Sequence, residues 1–185
     1  MLKKSLYGFS LIEVIIVISI SFLILAALYT VYSQGITFWY NADTNIEVMQ
    51  DARKAMDQMI EELANSANSK CTVSTTLATN DTITFQTPSS INNNGDITWG
   101  NQISYYRGGT SNKQLVRSES SATKVLCNNL ENTDNDSDGT TGLKFTKTTT
   151  SIGTIVSITM QTRKTSKDGR VLAAALSSSV RLRNE

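Results

Sequence analysis

The chain has 185 residues, with 17 lysines and arginines, 16 aspartates and glutamates, and no histidine. A formal net charge of +1 gives no strong positive field, so we predict no nucleic-acid partner. Histidine is the commonest general base and metal ligand, and its absence argues against an enzyme. The length leaves room for one small folded domain beside a membrane segment.

A short polar leader, residues 1–8, precedes a long apolar run. The run from residue 9 to residue 32 is long enough to cross about 30 Å of hydrocarbon as a helix. Lys3 and Lys4 lie on its N-terminal side, and the first charge after the run is Asp43. The positive-inside rule therefore predicts a single-pass inner-membrane protein with a cytoplasmic N-terminus and a periplasmic or extracellular C-terminal domain.

Glu13 is the one charged side chain within the apolar run. An acid costs about 2.5 to 3.5 kcal/mol near the centre of a bilayer, so it indicates a functional role. A secretory signal would end in a small-residue cleavage site, but Ala26 and Ala27 lead into further apolar sequence. A plain membrane anchor has no use for Glu13, although an acid at headgroup level could also reach water and have no role.

The sequence Gly8-Phe9-Ser10-Leu11-Ile12-Glu13 resembles the class III signal of type IV prepilins and pseudopilins. The resemblance implies that a prepilin peptidase cleaves between Gly8 and Phe9 and that Phe9 is then N-methylated. It also implies that Glu13 pairs with the Phe9 amine of a neighbouring subunit and sets register during filament assembly. Glu13 follows Phe9 by four residues, the spacing of one helical turn.

The helical pattern continues beyond the membrane segment, over residues 33–68. Apolar side chains recur there at spacings of three and four, as an amphipathic helix requires: Ile46, Met49, Ala52, Met56, Met59, Ile60, Leu63 and Ala67. We therefore predict one helix from about Ser10 to about Asn68. No proline interrupts this helix. In lacking a proline, the helix is similar to that of minor pilins and pseudopilins.

Residues 69–185 are rich in Thr, Ser, Asn and Gly, which predicts an extracytoplasmic antiparallel sheet domain. Short strands are predicted at residues 82–86, 103–107, 114–117 and 124–127, with a loop from Ser89 to Gly95. Alternation predicts a C-terminal hairpin of residues 154–163 and 171–183. Its apolar face needs a cover, which the helix over residues 46–68 can provide. The predicted fold class is α+β, a pilin-like ladle with a long helix packed on an antiparallel sheet.

Cys71 and Cys127 fall in the extracytoplasmic domain, where disulfides persist. We predict that they pair and join the end of the helix to the sheet. Closing this long loop would stabilise the fold by about 4 kcal/mol in the chain-entropy model. Two buried thiols are the alternative.

Asp134, Asp136 and Asp138 alternate in a segment that ends with Gly139, as in the first half of a calcium loop. Phe145 occupies the position of the bidentate glutamate of an EF-hand, so a complete EF-hand is excluded. Some pseudopilins bind calcium in a loop, and this resemblance implies a looser calcium site on the three aspartates. A solvated turn is the other interpretation.

Four basic residues cluster at the tip of the C-terminal hairpin. They are Arg163, Lys164, Lys167 and Arg170. They could meet an acidic partner or an anionic headgroup, or they could form an ordinary charged turn.

The whole outline resembles minor pilins and minor pseudopilins, particularly the larger J- or W-type subunits. The resemblance implies a structural subunit of a type II secretion pseudopilus, a type IV pilus or a competence pilus, at or near the tip or in assembly initiation. Its partners would be other pilin-like subunits through the N-terminal helix, the prepilin peptidase, the inner-membrane assembly platform and, before assembly, membrane lipid. The alternative is a membrane-tethered binding module or a calcium-dependent adhesin outside any filament.

Overall fold

The computed structural model describes residues 8–74, 82–131 and 142–183. Its contacts divide the chain into two units, one that ends at Ala42 and one that begins at Asp43. A single helix, α1, runs from Leu11 to Ala64. The prediction of one uninterrupted helix is therefore confirmed, although its C-terminal end comes earlier than the predicted Asn68. A short 3-10 turn, Asn68–Lys70, follows instead.

The first unit consists of the N-terminal part of α1, and its apolar side chains face outward. Along the described residues from Phe9 to Leu28, large apolar side chains are between 45% and 82% exposed. Among the described residues, α1 is the one helix long and apolar enough to cross a membrane. This part of the helix is apolar around its whole circumference. Such a surface indicates that it is surrounded by lipid or by other helices of a bundle.

The second unit contains a five-stranded antiparallel sheet in the order β1-β2-β3-β4-β5. Its strands are β1 Thr72–Val73, β2 Thr82–Ile91, β3 Ile97–Gly108, β4 Gln114–Glu119 and β5 Ala122–Cys127. Consecutive strands pair throughout, as expected for a meander of hairpins. All four short strands predicted in this region are confirmed, and each is longer than its sequence pattern suggested.

A three-stranded antiparallel sheet follows in the order β6-β7-β8. Its strands are β6 Leu143–Thr150, β7 Gly153–Thr165 and β8 Val171–Arg181. The predicted C-terminal hairpin is β7 and β8, in the register Met160 opposite Leu176. Strand β6 was not predicted, because its run of threonines and lysines lacks a continuous apolar face beyond Leu143 and Phe145.

The core of the second unit lies between the outer half of α1 and the two sheets. Its largest fully buried side chains include Phe85, Tyr105, Phe145, Met59 and Leu63. The apolar face predicted for β8 is confirmed, since Ala174, Val180 and Leu182 are buried and the alternating serines are less so. The fold class is therefore α+β, as predicted.

The predicted apolar stripe of α1 needs one correction. Ala52, Met59 and Leu63 are buried as expected, but Ile46 is 55% exposed and Val48 is buried at 3%. At about 100° per residue, Ile46 points well away from the line through Ala52 and Met59, whereas Val48 lies on it. A series of spacings of three or four residues drifts in angle around the helix over several turns, so its first member can lie off the buried face.

The predicted loop from Ser89 to Gly95 is wrong in its first part. Residues up to Ile91 belong to β2, and the turn closes later, between Asn92 and Asp96. Pro88 lies within the strand at two successive shifts of register against β3. A proline is compatible with a strand at such an irregularity. The regular ladder of hydrogen bonds is already interrupted there, so the N–H that proline lacks is not needed.

The predicted Cys71–Cys127 disulfide is absent, and both residues are buried free thiols. Cys71 directly precedes β1 and Cys127 ends β5, which form opposite edges of the five-stranded sheet. Strands β2, β3 and β4 lie between those two edges. A disulfide needs Cα atoms within about 7 Å. The strand order, which the sequence did not show, therefore does not favour the predicted bridge.

Candidate processing and assembly site

Gly8 and Phe9 form an open, non-helical approach to α1. Phe9 is 82% exposed, and a Cβ atom added at Gly8 would meet nothing within 4 Å. The fold of the described residues therefore makes no packing demand for glycine at this position. Any requirement for Gly8 must come from a partner that reads this segment, which is what a cleavage junction would need.

Ser10 and Glu13 together begin the helix. The backbone N–H of Glu13 donates to the Ser10 carbonyl at 3.1 Å and, more weakly, to the Ser10 hydroxyl at 3.4 Å. Serine at the cap and glutamate three residues later form the pattern of a capping box. A carboxylate in the first turn also interacts favourably with the helix dipole. The Ser-x-x-Glu spacing of the sequence is the signal for this cap, which the resemblance to prepilins does not require.

The position of Phe9 changes one expectation about the motif. Helix α1 begins at Leu11, so Phe9 lies before the helix rather than one turn below Glu13 on its surface. The helix therefore does not itself hold the Phe9 nitrogen beside the Glu13 carboxylate. A pairing between these groups has to be arranged by something else, and a neighbouring chain is one such arrangement.

A second polar cluster joins α1 to the five-stranded sheet. Glu62 accepts a hydrogen bond from the Tyr105 hydroxyl at 2.9 Å and from Nε of Arg117 at 3.0 and 3.1 Å. A terminal nitrogen of Arg117 donates to Glu119 at 2.8 Å. The side chains of Arg117 and Glu62 are only 18% and 21% exposed. Charge-assisted hydrogen bonds of this kind fix the helix against the sheet.

The protonation states in this cluster follow from burial and charge. Burial, together with the adjacent Glu62 carboxylate, raises the pKa of Tyr105 well above its ordinary value of 10.0. Burial opposes the charge on Arg117, but hydrogen bonds with Glu62 and Glu119 hold the pKa of its guanidinium above the ordinary value. The Tyr105 phenol is therefore neutral and the Arg117 guanidinium is a permanent cation, and together they hold Glu62 of the helix against the sheet.

The two thiols have low reactivity because both are buried. Burial raises the pKa of Cys71 to about 11, with Lys147 opposing the shift, and raises the pKa of Cys127 to about 12, with a further contribution from Asp51. The thiolate is the reactive form of cysteine, so both side chains are unreactive near neutral pH. Lys147 also donates to the carbonyls of Asn68 and Cys71, at 2.9 and 2.6 Å, and so holds the chain that leaves the helix.

Three of the four basic residues at the hairpin tip have acidic partners. Arg163 pairs with Glu131 at 2.7 Å, Lys164 with Glu47 at 3.1 Å and Arg170 with Asp168 at 3.3 Å. These pairs favour the interpretation of an ordinary charged turn over that of an acceptor for an acidic partner. Lys167 also takes part in an interaction.

The predicted calcium site lies outside the described residues, because Asp134, Asp136 and Asp138 belong to segment 132–141. It stays a prediction. Over residues 8–74, 82–131 and 142–183, no group of three or more cysteine, aspartate or glutamate side chains is arranged to hold a metal ion.

Comparison with known proteins supports the N-terminal motif. Residues 4–29 match the family described as the prokaryotic N-terminal methylation motif. The match includes Gly8, Phe9 and Glu13, and it supports the resemblance of this segment to the N-terminal segment of the type IV pilin-like family. That family is structural rather than enzymatic. No curated protein and no solved structure shows a match to the chain.

Proposed function

We propose that this protein is a minor pilin or minor pseudopilin, stored in the inner membrane and assembled into a filament after processing at Gly8. The observation that carries the proposal is the methylation motif of residues 4–29, placed on an exposed apolar helix that begins at Leu11. The folded second unit offers, in its described residues, a packed core and structural ion pairs. A helix for assembly and a compact display domain are what a filament subunit needs.

Assembly would use Glu13 and the new N-terminus at Phe9. In a hydrocarbon environment an isolated carboxylate and an isolated amine are both strongly disfavoured, and each removes the cost of the other when they pair. Phe9 precedes the helix, so helix geometry alone does not place its amine beside Glu13 of the same chain. Pairing with the next subunit would give each added chain a fixed axial position in the filament.

The machine is a type II secretion pseudopilus, a type IV pilus or a competence pilus, with the subunit at the tip or in assembly initiation. The long uninterrupted helix and the large sheet region support a J- or W-type subunit. Its partners would be other pilin-like helices, the prepilin peptidase and the inner-membrane assembly platform. The N-terminus would lie in the cytoplasm, and the second unit would lie outside the membrane.

The processing step is tested by the mass of the mature protein. Co-expressed with a prepilin peptidase, the full chain should lose residues 1–8 and gain one methyl group on Phe9. Gly8→Ala should leave the uncut precursor in the membrane. Gly35→Ala is the matched control, because a Cβ at Gly35 also meets nothing within 4 Å, and it should be cut normally. Cleavage of the Gly8→Ala protein at the normal rate would overturn the proposal.

Calcium remains an accessory proposal, resting on the pattern of Asp134, Asp136 and Asp138. Millimolar calcium should raise the melting temperature of the purified protein. The triple Asp→Asn variant should not show that rise. A wild-type melting temperature that calcium leaves unchanged would contradict the calcium site.

A further inference from the structure

Three consecutive aromatic residues lie on α1 beyond the predicted membrane segment of residues 9–32. Phe38, Trp39 and Tyr40, here called the aromatic collar, are 74%, 73% and 59% exposed. Residues 33–37 (Ser-Gln-Gly-Ile-Thr) separate the collar from the apolar run. The predicted membrane segment ends near residue 32, so it does not explain why these aromatic rings are exposed.

The angular arrangement of the collar selects among partners. Successive residues of a helix point about 100° apart, so three in a row cover more than half of the circumference. A neighbouring helix or a protein groove contacts one face and would leave at least one of these rings in water. A layer that surrounds the helix contacts all three at once. The headgroup region of a bilayer is such a layer, and tryptophan and tyrosine are enriched there.

The length of the helix agrees with this position. From Leu11 to Tyr40 the helix would span about 45 Å at 1.5 Å per residue. A bilayer is about 30 Å thick across its hydrocarbon and about 40 to 45 Å thick with its headgroup layers. If Glu13 lies at the inner boundary of the hydrocarbon, the outer boundary falls near Ser33. At a tilt of about 20°, the average for membrane helices, the collar then lies about 5 to 8 Å further out, at the level of the outer headgroup layer.

The charge pattern agrees as well. No charged side chain occurs from Val14 to Ala42, so nothing in this stretch opposes contact with lipid. The first charge, Asp43, is also the residue at which the second unit begins. The polar residues 33–35 carry no charge and are compatible with the transition from hydrocarbon to headgroups.

We propose that Phe38, Trp39 and Tyr40 form an interfacial anchor that binds the outer headgroup layer of the membrane and sets the depth at which the unassembled subunit is stored. This inference rests on the membrane-stored subunit of the proposed function. It extends the lipid-contacting length of α1 to Tyr40. It also implies that extraction into a filament must remove three aromatic side chains from the headgroup layer, in addition to the apolar run.

Trp39 makes the proposal directly measurable, because the chain has only two tryptophans and the other is Trp99 in β3. The full-length Trp99→Phe protein reports on Trp39 alone. It would be reconstituted in phosphatidylcholine and phosphatidylglycerol vesicles that carry a spin label either near the headgroup or near the acyl-chain end. Trp39 should lose more of its fluorescence to the shallow label. The Trp39→Phe protein, which reports on Trp99, should lose little to either label.

A depth control comes from Phe22, an exposed apolar residue of the run. In the Trp39→Phe, Trp99→Phe background, Phe22→Trp should be quenched more by the deep label. Stronger deep than shallow quenching at Trp39 would overturn the proposal. So would a Trp39 emission like that of a residue in water, or a shifted emission that neither label quenches, which would assign the collar to a protein partner. Vesicle flotation separately reports whether the chain is membrane-bound at all, which the proposed function requires and which does not depend on the collar.

Discussion

The Glu62 carboxylate of α1 accepts two contacts from Nε of Arg117 on β4, at 3.0 and 3.1 Å, with both side chains about four-fifths removed from solvent. This charged contact joins the helix to the five-stranded sheet, and no local spacing in the sequence indicates it. Glu61 and Glu62 are adjacent acids on α1. The structure separates the two residues, since Glu61 is exposed.

Removing the Glu62 carboxylate should destabilise the fold. In Glu62→Ala, Arg117 and Tyr105 lose their acceptor while they stay largely buried, and an unpaired group of this kind costs about 1 to 3 kcal/mol. Urea unfolding of the purified protein measures the change. Glu61→Ala is the matched control and should change the free energy of unfolding by less than about 0.5 kcal/mol. Equal losses in the two variants would contradict the role of Glu62.

The coupling between Glu62 and Arg117 can be isolated by a double-mutant cycle. The Glu62→Ala, Arg117→Ala protein should be more stable than the sum of the single losses predicts, by about 1 kcal/mol or more, because neither member of this pair is left without the other. Additive losses would show that the two side chains act independently.

Both cysteines should be present as thiols in the purified protein. Without any reductant, alkylation after unfolding should label Cys71 and Cys127, giving two adducts by mass. In the folded protein the same reagent should react slowly, since burial raises the pKa of these thiols to about 11 and about 12 and leaves little thiolate. A protein that can be alkylated only after reduction would contradict the free thiols and restore the disulfide.

Stability should fall in alkaline solution. The pKa values of Cys71 and Cys127 are raised in the folded state from an ordinary value of 9.0, so their neutral forms stabilise the fold fully below pH 9. The unfolded chain releases these protons first, and stability is lost between about pH 9 and pH 11 to 12. The expected slope is about 1.4 kcal/mol per pH unit for each thiol. The double Cys→Ala protein should show a shallower alkaline loss; an identical loss would contradict this origin.

Local patterns predicted the elements well, and long-range arrangement was where they failed. Repeated apolar residues located α1 and the β7–β8 hairpin, because helix and strand periods are written into neighbouring residues. The pairing of Glu62 with Arg117 and the separation of Cys71 from Cys127 depend on which strands are neighbours in a sheet. That order follows from the packing of the whole core, so no local spacing could have shown it. The N-terminal motif was predictable because Gly8, Phe9 and Glu13 lie within one short segment.

Incorporation into filaments shows whether this chain is a filament subunit registered through Glu13. Glu13→Gln keeps the size of the side chain and removes its charge, and Glu13→Asp keeps the charge as the control. All three proteins should be cleaved at Gly8, and sheared filaments should contain the wild-type chain, less of the Glu13→Asp chain and little or none of the Glu13→Gln chain. Incorporation of Glu13→Gln at the wild-type level would contradict the account.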